Sequence, residues 1–379
     1  MTATQSAEHA LFASTTKAFL DKEASLNSVR ELHAADRSFD PAWWRRATEL
    51  GWTSFLVSES LGGGSVSGNG VADLALVAEM AGRTVAPGPL HPVSVVLAGL
   101  VDADNRVEHA MNIESLMAGE TIATWAVYEP GQSWEPLRTS VTATPTGRGW
   151  RISGVKDRVE AVAEADMLLV VARCEEGVRE FLVPAGASAV SIEAQSTIDL
   201  VKKYGRVRFD NVRVGGGAVV GTTDQTAALI ERQTQIALIL QCAELVGMLG
   251  AMLDTTIAWA LDRHSFGRPL ASYQALKHRF ADLKTRYEAC RATTAHAVDD
   301  VSARSPQADV SASIAKSFVG EWVSVMLQDC IQLHGGIGLT WEHDLHLFLR
   351  RATLHRAMFG TPAQHNQRVF ARLNEPGVA

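Results

Sequence analysis

Residues 263–270 read Arg-His-Ser-Phe-Gly-Arg-Pro-Leu, and Tyr273 and Gln274 follow shortly after. An arginine guanidinium is a planar fork that matches phosphate oxygens, and a serine hydroxyl adds a further donor. Gly267 and Pro269 are typical of a turn between two helices. The run therefore suits a pyrophosphate group, although a capped turn with solvated arginines would contain the same residues.

A second run, residues 332–344, reads Gln-Leu-His-Gly-Gly-Ile-Gly-Leu-Thr-Trp-Glu-His-Asp. Its glycines leave bare backbone that a ligand can approach closely. The run follows a helical pattern rather than a strand, so it lacks the strand-turn-helix context of a dinucleotide-binding fingerprint. A nucleotide cofactor would therefore be bound by a device other than a Rossmann unit.

The chain before the first run divides into a helical part and a β part. From residue 10 to about 115, apolar residues recur at helical spacing, as at Val71, Leu74 and Ala78. Between about 120 and 222 the pattern changes to short runs with β-branched residues separated by turn signals. Strands at this spacing without intervening helices indicate an antiparallel barrel or sandwich domain.

Helical periodicity returns after Thr222, which could form a capping box with Gln225 three residues later. Ser272 is a candidate cap for the next long helix. A further helix, about Ala308 to Leu333, is expected to end at Gly335, which would act as a glycine C-cap. The C-terminal part of the chain is therefore predicted to be a bundle of helices.

The composition excludes several classes of protein. The 379 residues are 46% hydrophobic and 20% charged with a net charge of -7, which is typical of a folded globular protein and gives no basic footprint for nucleic acid. The most apolar stretch, residues 236–253, contains Gln241 and Glu244, so a helix buried in protein is favoured over a membrane span. Four cysteines without a C-x-x-C pair indicate a reducing compartment, and the cytoplasm is the expected location.

Taken together, the two runs resemble the acyl-CoA dehydrogenase family, in which R-x-x-F-G-x-P precedes Q-x-x-G-G-x-G at a similar separation. Residues 50–64 and 78–83 are also similar to the helical domain of that family. The resemblance implies an α+β fold with three parts: an N-terminal helical domain (1–118), a middle antiparallel β domain (119–222) and a C-terminal four-helix bundle (223–379).

The resemblance also implies an FAD bound at a subunit interface and an acyl-CoA substrate. Seven residues are expected to contact FAD, four near its adenine and pyrophosphate and three reaching the FAD of a neighbouring subunit: Arg263, Ser265, Phe266 and Gln274, and then Gln332, Gly335 and Gly336. In that family a carboxylate removes the α-proton of the thioester while flavin N5 accepts the β-hydride. An electron-transfer flavoprotein then takes the electrons.

The sequence departs from the family at the general base. Near the C-terminus, where the family has a catalytic Glu, this chain has Phe359, and Ala237 takes the alternative position on the first bundle helix. Neither side chain can accept a proton, so the catalytic residue stays unknown. Glu244, about two turns beyond Ala237, is the first candidate for a displaced base, although a structural carboxylate paired with an arginine is the favoured alternative.

The β segment departs at two places that contact the flavin in the family. The T-E-P-G-x-x-S-D segment of the family corresponds to residues 128–135, which keep Glu-Pro-Gly and lose the Thr and the Asp. The W-I-T segment, which packs on the flavin, corresponds to Arg158-Val159-Glu160. An arginine and a glutamate in place of an indole and a hydroxyl would change what covers the isoalloxazine ring.

This division of kept and lost motifs predicts that the chain shares its FAD and active site with a homologous partner chain that supplies the base. It resembles the chain lacking the base in actinobacterial, steroid-degrading heterotetramers of the family. Three alternatives stay open: a self-sufficient homo-oligomer that uses Glu244, a flavin-dependent monooxygenase assisted by His355 or His365, and a non-catalytic scaffold subunit.

Two further expectations concern ligands. Ala237, Gly247 and Gly250 are small and suggest space for a bulky acyl group, such as a steroid side-chain CoA ester. His343 and His346 would share a helical face, but the family has similar polar residues here without a metal, so no metal site is expected.

Overall fold

The computed structural model describes residues 3–374 and begins with a helical layer. The helices of this layer are α1 (Ala3–Glu23), α2 (Leu26–Ala34), α3 (Pro41–Thr48), α4 (Gly70–Arg83), α5 (Leu90–Asp102) and α6 (Ala110–Met117). The side-chain oxygen of Asn69 accepts the backbone N–H of Ala72, which fixes the start of α4. The layer agrees with the helical periodicity of the first third of the sequence.

The middle of the chain forms an eight-stranded sheet. Its strands are β1 (Ala123–Ala126), β2 (Thr142–Thr146), β3 (Gly149–Glu160), β4 (Met167–Cys174), β5 (Gly177–Pro184), β6 (Val190–Gln195), β7 (Tyr204–Gly215) and β8 (Val219–Val220). Their order is β6-β7-β3-β2-β4-β5-β8, with β1 beside β4. Most neighbours are antiparallel, as predicted, but β1 and β2 both pair in parallel with β4. The sheet is therefore mixed, because the long connection 127–141 replaces a hairpin between β1 and β2.

After β8 the chain is helical again. Helix α7 (Thr223–Asp262) leads through a short hairpin, β9 (His264–Ser265) and β10 (Arg268–Pro269), to α8 (Gln274–Ser302), α9 (Ala308–His334), α10 (Leu345–Ala357) and α11 (Pro362–Leu373). Helix α9 ends as predicted, with Gly335 at a φ of 69°. The succession of helices, sheet and helices confirms the predicted three-part fold, whereas the domain boundaries at 118 and 222 stay predictions.

Two predicted helix caps are wrong, because other contacts compete for the side chains. Thr222 precedes α7, but its hydroxyl makes no capping hydrogen bond. The Gln225 amide, which was expected to complete the box, donates instead to the carbonyl of Asp102 in the N-terminal domain (2.8 Å). Ser272 donates to the carbonyl of Pro269 (2.7 Å) and lies before the start of α8. Tertiary contacts therefore override local capping chemistry at both helix starts.

Helix α7 runs through the centre of the molecule. It is long and apolar enough to cross a membrane, but 94% of its most apolar window is buried inside the protein, as expected for residues 236–253. A Cβ on Gly247 would lie 1.8 Å from the carbonyl oxygen of Glu79 on α4, and one on Gly250 would lie 2.8 Å from the Arg83 guanidinium. Both glycines let α4 approach α7 closely. The expectation that they leave space for an acyl group is therefore wrong.

Arg351 joins the three parts of the chain from the middle of α10. Its side chain is fully buried and donates to Glu244 on α7 (2.5 Å) and to the carbonyl of Ala86 in the N-terminal domain (3.3 Å). It also donates to Asp199 in the β domain (3.3 Å). Two buried carboxylates thus share one guanidinium. Arg351 is thus one buried side chain that contacts all three parts and helps to fix their relative positions.

Replacement of Arg351 by Met should lower the free energy of unfolding by about 3–5 kcal/mol, because Glu244 and Asp199 would keep buried charges without the guanidinium. Denaturant titration measures this loss. Arg350→Met is the matched control, since Arg350 is partly exposed and donates to the carbonyl of Ile198. Equal losses for the two variants would contradict the role given to Arg351.

Candidate active site

A narrow cavity lies where the three parts of the chain meet. Its volume is about 20 Å³, which is room for one water molecule. The cavity is bounded by α5, α7, β1, β3, β7 and the segment after α10. Its lining includes five positions at which the sequence departs from the family: Tyr128, Arg158, Glu160, Ala237 and Phe359.

Phe359 packs among aromatic side chains. Its ring centre lies 5.3 Å from that of Trp134 in an edge-on contact and 6.2 Å from that of Trp125 in a near-parallel one. Its backbone N–H donates to the hydroxyl of Tyr128, whose ring lies 6.0 Å away. We call Trp125, Tyr128, Trp134 and Phe359 the aromatic cluster. The position of the base in the family is therefore filled by a hydrocarbon ring.

Arg158 closes the cavity from the side of β3. Its guanidinium carbon lies 4.2 Å from the centre of the Tyr128 ring, a cation–π distance. The guanidinium also donates to the carbonyls of Glu129 (3.3 Å) and Gln132 (3.0 Å). The backbone N–H of Arg158 donates to the side-chain oxygen of Gln195 (3.1 Å). The arginine is thus fixed by hydrogen bonds at its backbone and at the end of its side chain.

Glu160 is the carboxylate in the cavity lining. Lys202 donates to one of its oxygens (2.8 Å), and the Tyr204 hydroxyl donates to the other (3.1 Å). Burial acts to raise the pKa of Glu160, but the charge and hydrogen bond of Lys202 together with the nearby histidines outweigh burial and hold the pKa below its usual value. A carboxylate that is ion-paired in this way is a poor proton acceptor.

Glu244 lies behind the cavity wall and is not part of the lining. One carboxylate oxygen accepts from Arg351, and the other lies 2.8 Å from His91 Nε2 and 3.0 Å from His355 Nε2. Burial acts to raise the pKa of Glu244, but nearby positive charge, including that of Lys202, holds it well below the usual range. This arrangement favours a structural carboxylate and argues against Glu244 as a displaced base.

The histidines named in the sequence analysis have internal partners. Within residues 3–374, His91, Glu244 and His355 form the one group whose ligand atoms are close enough to share a metal ion. Because Arg351 already neutralises the carboxylate, we interpret this group as an internal ion network. His365 lies 2.8 Å from the carbonyl oxygen of Phe359 and, like His355, is absent from the cavity lining. His346 stacks on Trp341 at 4.6 Å.

Glu180 on β5 is a buried carboxyl group that the sequence analysis missed. The indole N–H of Trp125, a member of the aromatic cluster, donates to it (2.8 Å). Burial raises the pKa of Glu180 to about 7. The strand pattern carries no signal for this contact, because the two residues are 55 positions apart.

Glu180 should make the protein less stable as the pH rises from 5 to 8. The folded carboxyl keeps its proton up to about pH 7, whereas a free glutamate ionises near pH 4.5. The contribution of Glu180 to stability is therefore complete below pH 4.5, the pKa in the unfolded chain, and is lost as the pH rises to about 7, the pKa in the folded chain. The difference corresponds to about 3 kcal/mol. Denaturant titrations across this range should show that Glu180→Gln removes this loss and that the exposed Glu193→Gln does not. A wild-type profile for Glu180→Gln would refute the raised pKa.

The two runs with which the sequence analysis began lie side by side at the exposed end of the bundle. Trp259 on α7 connects them, because the Arg263 guanidinium lies 5.9 Å from its ring centre and the His334 ring stacks on it at 5.4 Å. Gly335 directly follows His334. At the tip of the β9–β10 hairpin, the Phe266 side chain is 97% exposed.

We call the seven predicted FAD residues the bundle surface: Arg263, Ser265, Phe266, Gln274, Gln332, Gly335 and Gly336. All are exposed except Ser265, which is partly exposed. A Cβ on Gly335 or Gly336 would meet no atom within 4 Å, so a ligand can reach this backbone. Arginine, an aromatic ring and open backbone fit the adenine and pyrophosphate of FAD. The cavity does not fit a flavin ring, because ligand pockets usually measure about 300–1,000 Å³.

The three-part fold is that of a flavin-dependent dehydrogenase. Residues 6–103 match the family model "Acyl-CoA dehydrogenase, N-terminal domain", and residues 228–373 match "Acyl-CoA dehydrogenase, C-terminal domain". The chain therefore belongs to the acyl-CoA dehydrogenase family, and the resemblance found in its sequence is confirmed.

Similar proteins span the whole chain. Acyl-CoA dehydrogenase IpdE2 of Mycolicibacterium smegmatis is 28% identical over 97% of this chain and 99% of its own length. Acyl-CoA dehydrogenase FadE34 of Mycobacterium tuberculosis is 30% identical over 94% of this chain but only 46% of its own length. A solved structure, a variant of the Tcur3481-Tcur3483 steroid ACAD, superposes with a TM-score of 0.88 at 25% identity and covers 99% of this chain and 100% of that one.

Proposed function

We propose that this chain is one subunit of an FAD-dependent acyl-CoA dehydrogenase and that a homologous partner chain supplies the Glu base. The assembled enzyme would introduce an α,β double bond into an acyl-CoA thioester. One observation carries the proposal: the position of the family's base holds Phe359, which packs into the aromatic cluster beside a cavity of about 20 Å³.

The chemistry places strict demands on the base. The α-proton of a thioester is too weakly acidic for an ordinary carboxylate, so the base has to be desolvated and its pKa raised. FAD, when bound, would supply the hydride acceptor for the β-carbon. In this chain Glu160 has a lowered pKa beside Lys202, and Glu244 lies behind the cavity wall. Neither meets the demands, and Glu180, whose pKa is raised, does not line the cavity, so we assign proton abstraction to the pocket of the partner.

The bundle surface is the part of this chain that we assign to FAD. The Arg263 guanidinium and the Ser265 hydroxyl offer donors for phosphate oxygens, and Phe266 offers a flat ring. Gly335 and Gly336 add exposed backbone, since an added Cβ at either would meet no atom of the described residues within 4 Å. Because these groups point outward, they suit an FAD whose flavin lies in a neighbouring subunit.

The relatives support an enzyme of two unlike chains. The Tcur3481-Tcur3483 steroid ACAD carries two chains in its name. The match to FadE34 covers 46% of that protein, which leaves room for a second segment of similar length. We therefore propose a heterotetramer, a steroid-derived acyl-CoA as the substrate class, an electron-transfer flavoprotein as the electron acceptor and the cytoplasm as the location.

Expression of this chain alone should yield protein with little FAD and no acyl-CoA oxidation, because the flavin pocket and the base belong to the partner. Co-expression with the partner should restore both, with about one FAD for each pair of unlike chains. Flavin absorbance per chain and reduction of an electron acceptor measure the two outcomes. A lone chain with a full complement of FAD and normal turnover would refute the proposal.

Arg263→Ala in the assembled enzyme should weaken FAD binding by about tenfold to a hundredfold, since a charge-assisted hydrogen bond is typically worth about 1.5–3 kcal/mol. Equilibrium dialysis of the apoenzyme against FAD measures the change. Arg148→Ala is the matched control, because Arg148 is exposed in the turn between β2 and β3. Equal FAD affinity in the two variants would show that Arg263 on the bundle surface does not bind the cofactor.

A further inference from the structure

The cavity of this chain is almost filled by its own side chains, which pack as they do in a protein core. We infer that Arg158 and Phe359 form a plug that takes the place of the isoalloxazine ring and keeps flavin out of this chain's own pocket. The inference rests on the proposed function, because it assigns the flavin of the assembled enzyme to the partner's pocket. It also identifies the two side chains that exclude the flavin and predicts that their removal opens a flavin-sized space in the pocket.

The first argument is steric. An isoalloxazine is a flat system of three fused rings, whereas the cavity has a volume of about 20 Å³. Phe359 lies nearly parallel to Trp125, with an angle of 14° between the ring planes. The ring of Phe359 thus already occupies the stacking position that the indole of Trp125 offers. A flavin ring could enter only if Phe359 left the aromatic cluster.

The second argument is that Phe359 is fixed in place. Its backbone N–H donates to the Tyr128 hydroxyl, and its carbonyl oxygen lies 2.8 Å from His365 Nε2. Gly360, the next residue, has a φ of 96°, and a Cβ there would lie 2.7 Å from the His365 ring. The segment therefore turns sharply against a buried imidazole. Withdrawal of the phenyl ring would break these backbone contacts as well as the aromatic packing.

The third argument concerns the charge of Arg158. A guanidinium at a cavity wall would attract an anionic ligand unless the protein satisfied it. Here the side chain donates to the carbonyls of Glu129 and Gln132 and lies 3.4 Å from an Asp157 carboxylate oxygen. Its flat face lies over the Tyr128 ring. The protein thus holds one terminal nitrogen of Arg158 by two hydrogen bonds and places a carboxylate beside its Nε, which makes no hydrogen bond with any described residue, so the arginine is anchored as a wall of the pocket.

The chain thus has two surfaces that correspond to FAD-binding regions of the family, one open to solvent and one filled by its own side chains. The bundle surface is open and carries groups that suit the nucleotide end of FAD. The pocket is filled by Arg158, Phe359 and the rings around them. The chain thus contributes to the flavin of another subunit and holds none itself.

The test uses the assembled enzyme with Arg158→Ala and Phe359→Ala combined in this chain, and lumiflavin as the probe. Lumiflavin carries the isoalloxazine ring without the adenine and phosphates that the bundle surface would bind. The double variant should bind one lumiflavin per copy of this chain and lose tryptophan fluorescence, because Trp125 and Trp134 border the opened space. The wild-type enzyme should bind none.

A matched control combines Arg148→Ala with Phe370→Ala, which removes the same two residue types at exposed positions. This variant should behave as the wild type. A folded Arg158→Ala, Phe359→Ala variant that binds no lumiflavin would overturn the plug. Should that variant fail to assemble, the FAD content of the wild-type enzyme decides: one FAD per pair supports the plug, and two per pair overturn it.

The outcomes also separate the plug from the proposed function. An active assembly with two FAD per pair would refute the plug and the stoichiometry of one FAD per pair, but it would leave intact the proposal that the partner supplies the base. A chain that is inactive with every homologous partner, yet binds lumiflavin once Arg158 and Phe359 are removed, would refute the shared enzyme and support the plug.

Discussion

A buried arginine that pairs with two carboxylates links all three parts of the molecule. Arg351 on α10 meets Glu244 on α7 and Asp199 in the connection between β6 and β7. Because a buried charge without a partner costs several kcal/mol, these elements cannot shift independently of one another. Glu244 in turn meets His91, which lines the cavity. The shape of the cavity therefore depends on an ion network that reaches the lining only through His91.

The plan of the fold could be predicted because it follows from local periodicity. Helical spacing, short β-branched runs and the glycine at the end of α9 each specify structure within a few residues. The errors occurred where distant residues decide. Gln225 donates to Asp102 instead of closing a capping box. Gly247 lacks a side chain because α4 touches α7 there, and a sequence does not distinguish a glycine that leaves space from one that lets a helix approach.

In the candidate site, too, the sequence predicted features that depend on single positions and missed those that depend on distant contacts. Departures from a family pattern identified Arg158, Ala237 and Phe359, but only the fold shows that all three face one cavity. Glu244 had two interpretations in the sequence, and Arg351, 107 residues away, favours the structural one. Glu180 carried no signal at all, since its partner Trp125 lies 55 residues away in the sequence. Local chemistry thus predicted the positions, whereas long-range contacts determine their chemical state.

The hairpin tip has a consequence for the life of the chain in a cell. Phe266 is 97% exposed, and Leu339, at the end of the neighbouring glycine run, is 80% exposed. Apolar side chains displayed in this way promote self-association until another surface covers them. Under the proposed heterotetramer, an excess of this chain over the partner chain would be removed by aggregation or proteolysis. The amount of this chain in the cell would then depend on balanced synthesis of this chain and its partner, in addition to any effect on catalysis.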